Sequence, residues 1–149
     1  MQFNDVIHAF GEKIGIGSLA FDTDGSVGLL FDGEHEITFT PDAEDRSVLF
    51  HAEVGSASFL DRDACQKLLS ASLLGAETGG AAFSVHEAQG LIILWKRHDD
   101  GFEDVSAFER AVNAFLVQVI FWKDALKNPS TLGGGTGTEV SFGFQGLSV

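Results

Sequence analysis

The residue types that could do chemistry are one cysteine and five histidines in a chain of 149 residues. Cys65 paired with His51, His86 or His98 could supply a thiol nucleophile and its general base. Cys65, however, falls in an apolar stretch without the glycine and small-residue context of a nucleophile signature, so we expect a packed core cysteine. The histidines, at positions 8, 35, 51, 86 and 98, show none of the spacings of a zinc site. These side chains favour neither catalysis nor metal binding.

Carboxylates are the other candidates for chemistry, and they cluster at two turns. The Asp22–Gly25 stretch has the opening acids of a calcium loop, but Gly33 stands where such a loop needs its last glutamate. Asp32, Glu34 and Glu36 could pair for acid–base work, yet they belong to a turn with no apolar pocket to desolvate them. A hairpin turn and a solvated rim explain the two clusters better. We therefore predict no enzyme, no metal site and no cofactor.

The acidic charge limits the classes of partner. Of the net charge of −13, Met1–Leu60 contributes 11 acids and 2 bases, a balance of −9. Such a surface repels nucleic acid and attracts basic or mixed-charge polypeptides. The single cysteine cannot form an internal disulfide, and the first residues lack a signal-peptide pattern, so we expect a cytoplasmic protein. The longest apolar stretch, Phe115–Trp122, is too short to predict a membrane span.

Apolar periodicity predicts the elements of the first half. The first helix starts at Phe3, places apolar residues at spacings of four, three and four, and ends before Gly15. From Leu19 the period changes to two, which predicts a meander of strands. Its apolar positions are Leu19 and Phe21, then Val27, Leu29 and Phe31, then Ile37 and Phe39, then Val48, Phe50, Ala52 and Val54.

The second half predicts a helix, a hairpin and a longer helix. Asp61 is the expected N-cap of a helix closed by Gly75, and residues 81–97 form a hairpin. The strongest helical pattern, Val105–Leu126, ends before Pro129. The fold class is α+β, with a twisted antiparallel sheet of about five to six strands and three helices in the order α-β-β-β-α-β-β-α. Residues 1–128 form one domain, and glycine-rich residues 129–149 form a flexible tail.

Two features predict that the monomer is incomplete. The second helix carries apolar residues on more than one face, and the strand from Leu91 alternates Ile92 and Leu94 with Ile93 and Trp95, so both of its faces are apolar. A homodimer with a core-like interface would cover these surfaces.

The sequences of these elements resemble those of the class I type III secretion effector chaperones of the Tir-chaperone (CesT-like) family. The stretches that carry the resemblance are "FNDVIHAFGEKIGI", "LAFDTDGSVGLLFDGEHEITFTP", "VLFHAEVG", "LLSASLLG", "TGGAAFSVHEAQGLIILWKR" and "FEDVSAFERAVNAFLVQVIFWKDAL". Two departures are the absence of Leu-Pro from "VGSASF" and the long stretch after Pro129.

The resemblance implies a homodimeric, ATP-independent bacterial chaperone connected with virulence. Such a chaperone holds the N-terminal chaperone-binding segment of one or a few secreted effectors in a non-globular, secretion-competent state. Carried onto this chain, the positions that receive the effector are Phe3, Ile7, Phe10, Leu29, Phe31, Ile37, Phe39 and Phe50. The positions near the dimer axis are Leu68, Leu69, Ser72, Phe83, Val85 and Trp95.

Alternatives stay open at this point. Each apolar residue of the meander could instead be buried under the first helix. A dimeric peptide-binding or regulatory module of the same fold, not linked to secretion, is the alternative function. A small hydrolase that uses Cys65 or an Asp/Glu pair is the alternative from another class of protein.

Overall fold

The computed structural model describes residues 1–44, 46–128 and 132. Its helices and strands are α1 (Phe3–Lys13), β1 (Val27–Phe31), β2 (His35–Pro41), β3 (Val48–Ser56), α2 (Arg62–Ala71), β4 (Ala82–His86), β5 (Leu91–His98) and α3 (Val105–Leu126). This order confirms the predicted α+β arrangement. The sheet has the strand order β1-β2-β3-β5-β4, so β1 and β4 are its edges. Of the tail 129–149, all but Leu132 lies outside the described residues.

The chain forms two compact units. The first unit comprises Met1–Ala52 and Lys96–Val117, and the second comprises Glu53–Trp95 and the described residues from Gln118 onward.

Aromatic packing builds the core of the first unit. Phe39 and Phe50 lie directly opposite each other on β2 and β3, and their rings are 4.8 Å apart edge to face. Phe108 of α3 contacts both rings and also packs against Phe10 of α1 at 5.2 Å. Because Phe39, Phe50 and Phe108 are fully buried, α1 and the first half of α3 cover the same face of the sheet.

The two acidic stretches are turns, as predicted. Asp32 and Gly33 both have positive φ angles, and the Glu34 N–H donates to the carbonyl oxygen of Phe31, which closes a tight three-residue turn between the paired residues Phe31 and His35. At the other turn, the Asp24 carboxylate accepts the N–H of Ser26, and this hydrogen bond lowers the pKa of Asp24. The strand predicted through Leu19 and Phe21 is reduced to a single bridge between Phe21 and Val27.

In the second unit, α2 starts as predicted but ends early. The Asp61 carboxylate accepts the N–H of Ala64 at 2.8 Å and caps the helix. The helix ends at Ala71 rather than at Gly75, and a 3-10 turn follows. Gly75 has φ +72°, and a Cβ there would lie 2.5 Å from the Gly80 Cα, so a tight loop replaces the predicted last turn.

Helix α3 confirms the strongest helical pattern. The Asp104 carboxylate accepts the N–H of Ala107 at its start, and the helix ends at Leu126. By length and composition alone, α3 is long and apolar enough to cross a membrane, as core helices of globular domains also are. One face of α3 is buried in the structure, at Phe108, Val112, Phe115, Val119, Trp122 and Leu126.

Candidate binding surfaces

Most of the residues predicted to receive an effector lie in the interior of the first unit. Seven of them are buried, with exposed fractions of 4% or less: Phe3, Ile7, Phe10, Leu29, Ile37, Phe39 and Phe50. Phe31, at the end of β1, is half-buried. The reason is the packing of α1 and Phe108 over the inner face of the meander. Effector contact by these residues stays a prediction. In this conformation, Phe31 is the one of the eight whose side chain is accessible to a client.

A residue that the sequence analysis missed lies on the other face of β1. Leu30 is 60% exposed, and it points away from the core because it alternates with buried Leu29 and half-buried Phe31. Its pair across the hairpin is Glu36, whose carboxylate lies over Gly28. The signal was available in the sequence, because Leu30 is an apolar residue at a position where alternation predicts a polar one.

The edge of β1 is open over most of its length. Phe21 pairs with Val27 at one end, and no other strand of the described residues pairs on that side. An open edge presents unpaired backbone N–H and C=O groups that can bind an extended peptide. Asp32, Glu34 and Glu36 are exposed beside it, so the edge is apolar in the middle and acidic at its end.

The second candidate surface is an apolar groove of the second unit, between α2 and β4. We call it the α2/β4 groove. Its volume is about 240 Å³, and it is lined by Leu60, Cys65, Leu68, Leu69, Phe83, Ser84, Val85 and Ile92. Of the six residues predicted to lie near a dimer axis, four line this groove: Leu68, Leu69, Phe83 and Val85.

The floor of the groove is buried and its rim is exposed. Leu68 is buried, whereas Leu69 and Val85 are 70% and 55% exposed. Ser72, a predicted interface residue, is half-buried: its hydroxyl donates to the carbonyl oxygen of Leu68 at 2.9 Å and accepts the N–H of Phe83 at 3.1 Å. Ser72 therefore fixes α2 to β4 and positions the groove.

Trp95, the sixth predicted interface residue, lies on the opposite face of the β4–β5 hairpin. Trp95 pairs with Ala82, whereas Phe83 and Val85 pair with the buried residues Leu94 and Ile92. The Trp95 indole N–H donates to the Ser84 hydroxyl at 2.8 Å. Both faces of β5 are apolar, as predicted, but within the described chain only the face of Ile92 and Leu94 is fully buried.

The prediction that Cys65 is a packed core residue is wrong, because its side chain is exposed. Helix α2 buries one stripe, Ala64, Leu68 and Ala71, and Cys65 and Leu69 each lie about 100° around the helix from that stripe. Because the helix is covered on one side only, its second apolar face lines the groove.

Within the second unit, His86 is the histidine that could pair with Cys65. His86 belongs to the same unit, but on β4 it alternates with Val85 and so faces away from the groove that Cys65 lines. Among the described residues, no group of three or more His, Cys, Asp and Glu side chains could hold a metal ion.

Two histidines of the first unit, His51 and His98, have lowered pKa values. Burial lowers the pKa of His51, and the nearby Asp24 carboxylate opposes that shift in part. Burial also lowers the pKa of His98, with a contribution from the positive charge of Lys96. The His98 ring packs 4.5 Å from Phe50 and 5.2 Å from Phe102, and its Nε2 atom is buried with no hydrogen-bond partner among the described residues. His98 is thus a half-buried histidine whose ring packs against the aromatic core.

Comparisons with known proteins point to one family. The family model described as "Tir chaperone protein (CesT) family" matches residues 5–123. A chain in the crystal structure of the ExsC–ExsE complex is 25% identical, with a TM-score of 0.72 over 85% of this chain and 97% of that one. A chain in the structure of the HopA1–SchA chaperone–effector complex is 18% identical, with a TM-score of 0.69 over 83% and 94%. A chain of the ExoU–SpcU heterodimer from the type III secretion system of Pseudomonas aeruginosa is 20% identical, with a TM-score of 0.56 over 86% and 95%. No curated protein matches significantly.

Proposed function

The chain belongs to the Tir chaperone protein (CesT) family, and from this premise we propose that it is a type III secretion chaperone. It binds the N-terminal segment of one or a few secreted effectors and keeps that segment soluble and secretion-competent. The observation that carries the proposal is the family match, which runs from α1 into the last turns of α3 and includes all five strands. Similar folds occur in solved chaperone–effector complexes, which supports the same reading.

The client site that the geometry supports best is the open edge of β1. An extended client segment adds there as a further strand, so main-chain hydrogen bonds supply affinity and alternate side chains supply specificity. Leu30 on the outer face and half-buried Phe31 on the inner face are the apolar contacts on offer. The seven buried residues that the sequence predicts as effector contacts lie in the core of the same unit. The acidic turn favours clients with basic residues beside their apolar ones.

The proposed homodimer forms through the α2/β4 groove. A two-fold axis places the rim of one copy, including Leu69 and Val85, against the groove of its partner. This arrangement accounts for an apolar groove that carries two large exposed aliphatic side chains. Chaperone action here is binding without catalysis, and its place is the bacterial cytoplasm, where a client is held before export.

The experiment is amide hydrogen exchange on the chain alone and in complex with the N-terminal segment of its client, identified from its own host by co-purification and mass spectrometry. We expect the amides within Gly28–Phe31 that face the open edge, alternate ones along the strand, to become protected in the complex, because a new strand would pair with them. Leu30→Lys should weaken client binding, whereas Val117→Lys, at an equally exposed position on α3, should not. Protection confined to other elements would refute the β1 site, and a client with no connection to secretion would refute the proposed function.

A further inference from the structure

The outer face of β1 carries a carboxylate that belongs to the neighbouring strand. Gly28 lies two residues before Leu30 on that face and is exposed. Glu36 pairs with Leu30 across the hairpin, but its side chain leans towards Gly28. A Cβ added at Gly28 would lie 2.7 Å from the Oε1 atom of Glu36 and 3.5 Å from its Cδ atom. The Glu36 carboxylate therefore occupies the place that a side chain at position 28 would take.

The missing Cβ at position 28 is what gives the carboxylate this place. Gly28 belongs to a regular strand and does not have a positive φ angle, so the backbone conformation does not require glycine. Glycine inside a strand often marks a site that another group approaches closely. Within the part of the chain that the structure describes, the Glu36 carboxylate has no hydrogen bond and no ion pair. It is therefore available to a cation from another molecule.

The backbone of β1 presents its unpaired groups at the same positions. The Phe31 carbonyl oxygen accepts the Glu34 N–H inside the hairpin, so the N–H and C=O groups of Phe31 point towards β2. Because the backbone groups of successive strand residues point to opposite sides, those of Leu30 and Gly28 point to the open edge. A client strand that pairs with Leu30 therefore continues beside Gly28.

We propose that Glu36 selects clients that carry a lysine or arginine two residues from the apolar residue that packs on Leu30. This inference rests on the proposed client site at the β1 edge and names the charge pattern of its client. Side chains two residues apart in an extended segment share one face, so the second of them lies beside Gly28. Directly opposite residues on neighbouring strands have Cβ atoms about 4.5–5.5 Å apart, which a long basic side chain spans. The pattern is apolar-x-basic for a client antiparallel to β1 and basic-x-apolar for a parallel one.

Charge complementarity determines the size of the preference. Opposite charges on neighbouring strands favour pairing, and like charges oppose it by a similar amount. A basic residue beside Gly28 should therefore bind about 2-fold to 30-fold more tightly than an acidic one. The wider charge agrees, since Met1–Leu60 contains 11 acids and 2 bases. Because Glu36 is exposed, the preference should shrink as the salt concentration rises.

The test uses a displayed library of randomised nine-residue segments, selected on the full chain and on variants, and read by sequencing. The segments that count are those whose enrichment is lost on Leu30→Gln. Among them we expect lysine and arginine to exceed aspartate and glutamate two residues from the shared apolar position. Glu36→Gln should abolish this preference. Gly28→Ala should reduce it at unchanged net charge, because the new Cβ displaces the flexible end of Glu36. Asp32→Asn, a matched loss of one exposed acid in the same hairpin, should leave the preference intact.

Fluorescence anisotropy then measures the preference on one selected peptide, synthesised with lysine, glutamine or glutamate at the selected position. Equal dissociation constants for the three forms, or an unchanged preference after Glu36→Gln, would overturn the inference and leave the β1 client site in place. Self-association of Glu36→Gln with no change in preference would also overturn it, since the carboxylate would then only prevent edge-to-edge pairing. A selection without any segment that depends on Leu30 would refute the β1 site itself. A client unconnected with secretion would refute the proposed function and leave the charge preference unaffected.

Discussion

Leu69→Ala is the sharpest test of the proposed homodimer. Leu69 is 70% exposed in the described chain, at the rim of the α2/β4 groove. Burying a whole leucine side chain is worth about 1.5–3 kcal/mol, so sealing this one in an interface contributes about 1–2 kcal/mol per subunit. Because a two-fold axis repeats the Leu69 contact in both subunits, the total is about 2–4 kcal/mol per dimer.

The assay separates association from folding. A loss of about 2–4 kcal/mol raises the dimer dissociation constant about 30-fold to 1,000-fold, which sedimentation velocity measures over a concentration series. The monomer should tolerate the change within about 0.5 kcal/mol, because the side chain is exposed and alanine favours a helix. Urea unfolding at a concentration where both proteins are monomeric checks this point. Leu30→Ala is the matched control, since Leu30 is 60% exposed on β1, and it should leave the dissociation constant unchanged.

The outcome that would refute the reasoning is an unchanged dissociation constant for Leu69→Ala. Equal weakening by Leu30→Ala would also refute it, because the interface would then not be specific to the groove. A fall in monomer stability in step with dimer loss would mean that Leu69 acts through folding.

Three further predictions follow from individual contacts. Phe39→Ala should lower the free energy of unfolding by about 3–5 kcal/mol, because this ring is fully buried against Phe50 and Phe108; normal stability with lost client binding would contradict its place in the core. Burial holds the pKa of His98 below its ordinary value of 6.5. Below about pH 6.5 the unfolded chain therefore binds a proton that the native state does not. The free energy of unfolding should fall as the pH drops from about 6.5 to the lowered native pKa. Urea midpoints at about pH 7.5 and about pH 5.5 should differ less for His98→Gln than for the parent, and an equal difference would refute this cause. Gly75→Ala should destabilise the protein more than Gly15→Ala, because both glycines have positive φ but only a Cβ at position 75 meets backbone, at 2.5 Å; equal thermal shifts would contradict the loop packing.

Local patterns in the sequence were sufficient to predict most of the architecture. The spacing of Phe3, Ile7 and Phe10 predicts α1, and the carboxylate of Asp61 predicts the start of α2, because both depend on residues a few positions apart. The order of helices and strands followed from such signals. The early end of α2 was not predictable in this way, since it depends on the approach of Gly75 to Gly80 and on the Ser72 hydrogen bonds to Leu68 and Phe83.

The candidate surfaces were harder to predict, for a physical reason. Alternation shows which residues share a face of a strand, but it does not show what packs on that face. Phe39 and Phe50 are covered by Phe108, which is more than fifty residues away in sequence, so no local pattern separates core from client contact there. Cys65 was misplaced for the related reason that an apolar helix face predicts burial even when the chain alone leaves it uncovered.

The most direct test of the account is native mass spectrometry of the chain purified from its own host. The account predicts a species that contains two copies of this chain and one secreted polypeptide, and protease should trim that polypeptide to a bound N-terminal segment. A client-free monomer, observed even when the chain is co-expressed with each protein that the secretion system exports, would contradict the claim that this chain is an effector chaperone.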